Sequence, residues 1–506
     1  MARASLGSLP PLTTSFHNLR LLSCPYISSP PKRLIFALHV SNTADTMPDR
    51  HHPDSSLEII GGARDSLLSV FKTLQRPYDP FPLIGWNCHI ETIFAAFFRS
   101  LPDVRFRREC LRTEDGGAVS LDWVSGDDRK FPAEIPVLIL LVGDLHCSNW
   151  TLISLLRILL TLQPGLTGGS GDTYVRHMLV RARSNGWRVV VFNSRGCGDS
   201  PVTTAQFYSA SFIEDLRQVV KHVATRYPKA KLYAVGWSLG ANILVRYLGQ
   251  ESYSCPLSGA VSLCNPFNLV IADEDFHKGF NVIYDKALAN ALCKIFKRHS
   301  LLFEDMGGEY NIPLAANAKS VREFDDGLTR VSFGFKSVDD YYSNSSSSDS
   351  IKHVHIPLLC IQWEAAYCHP KGGKCPYGIQ FFSSEVEKED RVDSRNSETL
   401  ALFLAGRITT QALESSLAAS DPIAPSRGIP REDIKENPNC LLIVTPNGGH
   451  LGWVGGVEAP LGAPWTDPVV MEFLEHLERG RSKPFEYSSK SDSVQQSAES
   501  LHKLEV

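Results

Sequence analysis

The stretch Gly236-Trp237-Ser238-Leu239-Gly240 decides the fold of this chain because of the segments on either side of it. Residues 231–235 before it are short, apolar and β-prone, as in a buried strand. Residues 241–248 after it have the apolar spacing of a helix. A strand, a tight turn with serine at its tip and a helix form a nucleophile elbow, in which glycine permits the close passage of helix and strand. Ser238 is therefore a candidate nucleophile; the alternative is a capping serine in a glycine-bounded turn.

Apolar runs that read as strands recur along the chain and alternate with helical patterns. The clearest helix is residues 212–227, with apolar side chains on one face and charges on the other. Residues 119–124 alternate apolar and polar, which predicts an antiparallel edge strand. Strands alternating with helices predict an α/β fold with a mostly parallel central sheet and helices on both faces. The runs predicted as parallel strands are 136–141, 187–192, 232–236, 259–264, 356–361 and 440–444.

Composition shifts divide the chain into a leader, a large domain and a tail. Residues 1–60 read as a flexible leader, the main domain spans 75–480, and 481–506 read as a disordered tail. Residues 1–44 contain no Asp or Glu and many Ser and Pro, which fits an organelle transit peptide. The alternative is extra upstream sequence before a start at Met47. We therefore expect a chloroplast location if residues 1–46 are a transit peptide, and a cytoplasmic one otherwise.

Charge, cysteine content and hydropathy exclude several classes of function. The net charge is −4 and no basic stripe with interleaved aromatics occurs, so no nucleic-acid partner is predicted. Residues 138–162 are the most apolar stretch, but polar side chains interrupt it, so no membrane span is predicted. The 12 cysteines form no regular framework, which favours a reducing compartment. Cys368-His369 with Cys375 lacks a second matching pair, so no metal and no cofactor are predicted.

A serine nucleophile needs a histidine to accept its proton and an acid to orient that histidine. In this fold the chain order is serine, acid, histidine, with both partners on loops after late strands. His450 follows the last predicted strand, beside Gly448 and Gly449. Asp421 lies in the turn Ser420-Asp-Pro-Ile-Ala-Pro425, where Asp-Pro favours a rigid turn. The alternatives are a surface-loop histidine and a turn-capping aspartate.

An oxyanion hole requires two backbone N–H groups near the nucleophile. One donor is expected from Leu239, the residue after the elbow serine. The second should come from the loop after the strand that ends near Leu141, and the fitting loop is 164–170, with Leu166 or Thr167 as donor. The alternatives are that this glycine-rich loop is a flexible connection or that it binds phosphate. No Gly-Lys-Ser/Thr follows it, so a nucleotide P-loop is not indicated.

Several motifs recur in one order in a known family. The motifs are Asn87-Cys-His-Ile-Glu-Thr92, Pro164-Gly-Leu-Thr-Gly-Gly-Ser170, Asn193-Ser-Arg-Gly-Cys-Gly198, Gly236–Gly240, Asn265-Pro-Phe267, Asp421–Pro425 and Gly448-Gly-His-Leu-Gly452. On these motifs the chain resembles the α/β-hydrolase-domain family that includes plant embryogenesis-associated hydrolases, animal members with phospholipase and acylglycerol activity, and yeast medium-chain ethyl-ester synthases. The resemblance covers roughly residues 75–480. It implies an α/β-hydrolase fold with a helical cap, placed here at about 267–342 with a helix near 285–298.

Two segments depart from the family pattern. Residues 142–163 and 363–419 intervene where the family has short loops beside the oxyanion hole and the acid. They are either translated introns of a gene model or real surface excursions, which loop entropy tolerates. A displacement of about 1 Å at the site would cost roughly 100-fold in rate. If the inserts displace the site in this way, the chain is a non-catalytic protein with a hydrolase fold.

The resemblance implies a serine hydrolase that cleaves carboxylic esters of lipids through Ser238, Asp421 and His450 and an acyl-enzyme. An acylglycerol lipase or a short- to medium-chain carboxylesterase fits this pattern. An acyltransferase or a phospholipase using the same site is the alternative. Epoxide and haloalkane hydrolases require aspartate at the elbow, so Ser238 excludes them. The expected partner is a lipid or small acyl ester, and the apolar cap leaves peripheral contact with a membrane open.

Overall fold

A nine-stranded sheet organises the part of the chain that the computed structural model describes, which is residues 57–142, 168–303, 308–364 and 421–480. The strand order is β1-β9-β8-β7-β6-β4-β5-β3-β2. The six strands from β4 to β9 are parallel to their neighbours among themselves, whereas β1, β2 and β3 pair antiparallel. The strands are β1 Glu58–Ile60, β2 Phe106–Arg112, β3 Ala118–Val124, β4 Val137–Leu141, β5 Arg188–Asn193, β6 Leu232–Trp237, β7 Leu257–Leu263, β8 Leu358–Trp363 and β9 Cys440–Thr445.

Helices cover both faces of the sheet, as predicted. Leu138 and Leu140 of β4 belong to the apolar core on one face, and Ile139 belongs to the core on the other. The first core includes side chains of α4 (Thr173–Ser184) and α14 (Thr466–Arg479), and the second those of α5 (Glu214–Arg226) and α6 (Leu239–Glu251). Strands buried on both faces are continuously apolar, which is why these runs were recognisable in the sequence. The helices outside the β7–β8 connection are α1 Arg64–Leu67, α2 Cys88–Phe97, α3 Asp127–Lys130, α4 Thr173–Ser184, α5 Glu214–Arg226, α6 Leu239–Glu251, α13 Arg431–Glu436 and α14 Thr466–Arg479.

The connection between β7 and β8 is helical in its described residues and contains no strand there. We call residues 267–342 the cap. Its longest helix, α8, covers the segment predicted near 285–298, and a π-helical turn follows α10 at Asp325–Thr329. Among the described residues of the whole chain, no helix has the length and apolar character that a membrane span requires. The helices of the connection are α7 Leu269–Phe276, α8 Asn281–His299, α9 Ile312–Asn317, α10 Val321–Phe324, α11 Arg330–Ser332 and α12 Val338–Ser345.

The prediction that residues 119–124 form an edge strand was wrong. β3 is antiparallel, but it lies between β2 and β5, and all seven of its residues are buried. Its polar residue Asp122 is buried because it has partners: Arg108 binds it with two hydrogen bonds, and the Ser170 hydroxyl donates to it at 2.6 Å. Alternation of polar and apolar residues indicates an exposed face only when the polar groups have no internal partners. The edge strand on this side is β2, whose charged sequence keeps it in solvent.

Two predicted segment boundaries also need correction. The leader was expected to extend to residue 60, but residues 58–60 form β1, which pairs with β9. The second insert was expected to begin at Trp363, but Trp363 is the last residue of β8, and the N–H of Glu364 still donates to Thr445 of β9. Pairing with β9 extends β8 to Trp363, beyond its apolar run. The rest of that insert, the first insert after Val142 and the tail lie outside the described residues.

Candidate active site

Ser238 occupies a sharp turn between β6 and α6. Its backbone has φ +49° and ψ −122°, a conformation that costs a non-glycine residue about 1–3 kcal/mol. A Cβ atom on Gly236 would lie 2.7 Å from the carbonyl oxygen of Gly240, and one on Gly240 would lie 2.7 Å from that of Leu141. Both glycines of the elbow are therefore required by close backbone contacts. The turn lifts the serine to the carboxyl end of the parallel strands, where sites in open α/β sheets are found.

The structure brings Ser238, His450 and Asp421 together, although more than 180 residues separate the serine from the acid in sequence. Ser238 Oγ lies 2.9 Å from His450 Nε2, and His450 Nδ1 lies 2.8 Å from Asp421 Oδ1. All three side chains are buried. With the proton on Nδ1, the histidine donates to the carboxylate and its Nε2 accepts from the serine hydroxyl. This is the geometry in which a serine is activated as a nucleophile.

Asp421 is held in one orientation by donors on both carboxylate oxygens. Oδ1 accepts from the N–H groups of Ile423 at 3.0 Å and Ala424 at 2.9 Å, in addition to the histidine. Oδ2 accepts from the indole Nε1 of Trp363 at 3.1 Å. The first two bonds are the local Asp-Pro turn that the sequence predicted. The third comes from the end of β8 and was missed, because the sequence interpretation assigned Trp363 to an insert.

Helix α2 supports the loop that carries His450, a role that the sequence analysis did not assign to it. The N–H of His450 donates to the hydroxyl of Thr92 at 2.8 Å. A Cβ on Gly449 would lie 2.6 Å from the backbone nitrogen of Thr92, so the loop touches the helix directly. Asn87 caps α2 by accepting from two N–H groups of its first turn. The signal for this support was the motif Asn87–Thr92, whose function the sequence alone did not reveal.

The same helix contacts the cap through His89. The ring stacks against Tyr284 of α8 and tilts against Phe280, and its Nδ1 lies 3.1 Å from the Tyr284 hydroxyl. Burial lowers the pKa of His89 to about 4, so the ring is neutral at physiological pH. His89 is therefore an uncharged part of the contact between α2 and the cap.

Of the predicted oxyanion donors, the structure describes only Leu239. Leu239 is the first residue of α6, and the first N–H groups of a helix have no partner within the helix. This N–H also lies at the positive end of the helix dipole. Leu166 and Thr167 lie outside the described residues, so the second donor stays a prediction. The loop is described again from Gly168, and the N–H of Ser170 donates to Asn193 at 3.0 Å.

An apolar pocket extends from Ser238 into the cap. The pocket is partly open to solvent. A mostly apolar lining with a few polar groups is typical of small-molecule sites. Asp325 is a buried acidic residue of the lining; it accepts from the Tyr342 hydroxyl at 2.9 Å, and burial raises its pKa to about 7. The apolar walls include Leu269, Phe276, Leu288, Ile295, Phe324 and Ile423.

Among the described residues, Cys264, Asp421 and His450 are the group whose potential metal-ligating atoms lie within 4.8 Å of one another. His450 and Asp421 already bind each other. Burial raises the pKa of the Cys264 thiol far above its usual range. Its sulfur accepts from the N–H of Leu451 at 3.3 Å. The residues fit a hydrogen-bonded network around the histidine better than a metal site.

Comparisons with known proteins agree with the fold. A family model described as "alpha/beta hydrolase fold" matches residues 158–454. The chain is 57% identical over 432 residues to the Embryogenesis-associated protein EMB8 of Picea glauca, covering 84% of this chain and 77% of the relative. It is 28% identical to Phospholipase ABHD3 of Homo sapiens, covering 78% and 77%. It is 26% identical to the Monoacylglycerol lipase of Saccharomyces cerevisiae, covering 72% and 74%. The resemblance drawn from the motifs is thereby confirmed.

Proposed function

The chain belongs to the α/β-hydrolase family, and on that premise we propose that it cleaves carboxylic esters of lipids with Ser238, His450 and Asp421 as its catalytic residues. The observation that carries the proposal is the continuous set of contacts from Ser238 Oγ through His450 to Asp421, at 2.9 and 2.8 Å. The Ser238 end of this set opens into the apolar pocket, so the nucleophile faces the space that a substrate would fill.

The reaction is an acyl transfer in two steps. His450 Nε2 accepts the proton of Ser238 as Oγ forms a bond to the ester carbonyl carbon, and the carbonyl oxygen becomes an oxyanion. The Leu239 N–H, with the predicted second donor from Leu166 or Thr167, stabilises that charge. The histidine then gives its proton to the departing alcohol. A water molecule repeats the sequence on the acyl-enzyme, which releases the acid and restores the serine.

The pocket favours an acyl group of lipid type. Its walls are apolar where it leaves Ser238, and burying each methylene there stabilises binding by about 0.8 kcal/mol. Relatives of the chain are named as a phospholipase and a monoacylglycerol lipase, which supports lipid esters as the substrate class. An acylglycerol or a phospholipid is therefore the substrate to test first.

The test is hydrolysis of a monoacylglycerol and labelling by a fluorophosphonate probe, measured on the full chain. Ser238→Ala should abolish labelling and lower kcat by about 10⁶-fold, because the nucleophile is lost. Ser262→Ala, which changes another buried serine on β7, is the matched control and should leave both unchanged. Undiminished turnover by Ser238→Ala would disprove the assignment. A folded wild-type chain that neither labels nor hydrolyses any lipid ester would instead indicate a non-catalytic member of the family.

A further inference from the structure

Helix α2 carries a motif that the proposed reaction does not use. Asn87 begins the helix by accepting from the N–H groups of His89 at 2.9 Å and Ile90 at 3.1 Å. This cap fixes the helix start, and the side chains of Glu91 and Thr92 in the next turn are buried against the His450 loop rather than exposed. A charged and a hydroxylated residue are rarely buried together without specific partners.

The first partner is the backbone of His450 itself. The Thr92 hydroxyl accepts from the His450 N–H at 2.8 Å and donates to the carbonyl oxygen of Cys88 at 2.7 Å. Because the hydroxyl's single proton is used within the helix, its oxygen is directed at the histidine's N–H. The Cα of the histidine is thus tied to a rigid helix by one oriented bond.

The second set of partners binds three of the four residues that follow, Leu451, Gly452 and Val454. Glu91 Oε1 accepts from the N–H of Val454 and from the Tyr78 hydroxyl. The guanidinium of Arg99 donates to the carbonyl oxygens of Leu451 and Gly452. Both ionisable side chains are buried. Because these side chains bind main-chain atoms, they fix the path of the backbone.

The backbone they hold is strained. Leu451 has φ +58° and Trp453 has φ +44°, a region that non-glycine residues rarely adopt. Such conformations persist only where surrounding contacts over-determine them, and they concentrate at functional sites. Without its anchors, the loop could relax into ordinary backbone conformations and rotate the imidazole away from Ser238.

We propose that Thr92, Glu91 and Arg99 are positioning residues, which hold residues 450–454 in the strained conformation that aims His450 Nε2 at Ser238 Oγ. The assignment rests on the proposed function in one respect, since it assumes that His450 is the catalytic base. It makes α2 part of the active-site support, and it accounts for the motif Asn87–Thr92 by the contacts that its members make.

The deciding experiment compares Thr92→Val with Thr92→Ser. Valine keeps the shape and removes the acceptor, so kcat should fall about 10- to 100-fold with KM unchanged, because a histidine displaced by up to about 1 Å loses that much rate. Serine keeps the acceptor and should restore kcat to within a few-fold of the wild type. The control is Thr113→Val, which removes another buried hydroxyl, bound to Asp115 instead of the loop.

A second readout does not depend on turnover. The His450 Nδ1 proton bonded to Asp421 should give a far-downfield proton NMR resonance, which Thr92→Val should shift or broaden and Thr113→Val should not. If the wild type hydrolyses no ester, the proposed function fails while this resonance still tests the positioning. Wild-type kcat and an unmoved resonance in folded Thr92→Val would overturn the proposal, as would equal losses in both valine variants.

Should Thr92→Val fail to fold, Glu91 supplies the same test. Burial raises the pKa of Glu91 to about 7, so glutamine can replace the carboxyl and still accept through its amide oxygen. Glu91→Gln should keep kcat within a few-fold of the wild type and Glu91→Leu should lower it about 10-fold or more, since only leucine frees the Val454 N–H. Equal kcat for the two variants would contradict the proposal.

Discussion

Two polar networks of this molecule, each with buried side chains at its centre, use similar residues for different purposes. One surrounds Arg195, from the motif Asn193–Gly198, and the other joins Ser238, His450 and Asp421. Arg195 binds Asp215 through two hydrogen bonds of 2.8 and 2.6 Å and Asp115 through two of 2.7 and 2.9 Å. Every nitrogen of the guanidinium has an anionic partner, and the group also lies 5.2 Å from the ring of Phe212.

In the network around His450, only the Asp421 end is saturated, in the sense that its hydrogen-bonding atoms all have partners. Asp421 has donors on both oxygens, but Ser238 meets the histidine on one side and the apolar pocket on the other. The contrast teaches that burial and hydrogen bonding do not by themselves identify a reactive group. Reactivity requires a member with bonding capacity left over that faces a cavity. Two motifs that are equally prominent in the sequence therefore have different functions, one structural and one chemical.

After the loss of the nucleophile itself, the largest expected loss of kcat comes from a change that breaks the reactive network and spares the saturated one. Asp421→Asn replaces an acceptor with an amide that can hold His450 in the wrong tautomer, so kcat should fall about 10⁴-fold. The free energy of unfolding should fall by about 1–3 kcal/mol, because an amide NH2 that faces His450 Nδ1 cannot accept from the N–H groups of Ile423 and Ala424. We would measure both on the full chain. A variant with kcat within 10-fold of the wild type would show that the carboxylate is not needed for the reaction.

Breaking the saturated network should have the reverse outcome. Arg195→Met leaves buried Asp215 without its counter-charge, which should lower the free energy of unfolding by about 3–5 kcal/mol. The folded fraction should keep a kcat close to that of the wild type, because Arg195 contacts none of the three catalytic candidates. Denaturant unfolding and active-site titration with the fluorophosphonate probe separate the two effects. A large loss of kcat per labelled site would mean that the two networks are coupled.

A smaller effect is the pH dependence of stability. It has opposite signs for Asp115, which binds Arg195, and for Glu91, which supports the His450 loop. Burial raises the pKa of Asp115, but the bonds from Arg195 outweigh this and hold it at about 2, so its stabilisation is present above about pH 3.8 and is lost as pH falls towards 2. Glu91 has the opposite sign. Burial raises its pKa from 4.5 to about 7, against the opposing contacts with Val454, Arg99 and Tyr78, so stability is greatest below about pH 4.5 and declines as pH rises to about 7.

Glu91→Gln should therefore reduce the decline in stability that accompanies rising pH. As pH rises from the unfolded to the folded pKa of Glu91, this group alone should lower the free energy of unfolding of the wild type by up to about 1.4 kcal/mol per pH unit. The glutamine variant should lack that contribution. Urea unfolding at pH 5, 6 and 7 measures the slope. Asp115→Asn provides the comparison, since it should alter stability without changing the slope in this range. Identical slopes for wild type and Glu91→Gln would show that Glu91 titrates normally.

Local patterns in the sequence were sufficient for much of this structure. The continuous apolar runs predicted the six parallel strands, because strands covered on both faces carry no polar alternation. Glycine spacing identified the elbow at Ser238, because only glycine tolerates the contacts on either side of it. Chain order then selected His450 and Asp421, which the structure places in contact with the serine and with each other.

Other features depend on contacts between distant residues and left no readable local pattern. The buried position of β3 follows from Arg108, Ser170 and Asn193 meeting Asp122. The role of Trp363 follows from its position at the end of β8, 58 residues before the acid that it binds.

The sequence by itself thus determined the layered α/β architecture and the identity of the three candidate catalytic side chains, since periodicity, glycine placement and chain order are local properties. Only the tertiary structure decided which buried polar groups are saturated and which face a cavity. It also showed that α2, more than 350 residues earlier in the chain, supports the histidine loop. The physical reason is that a hydrogen bond depends on the distance and direction between two groups in space, and folding sets these independently of their separation along the chain.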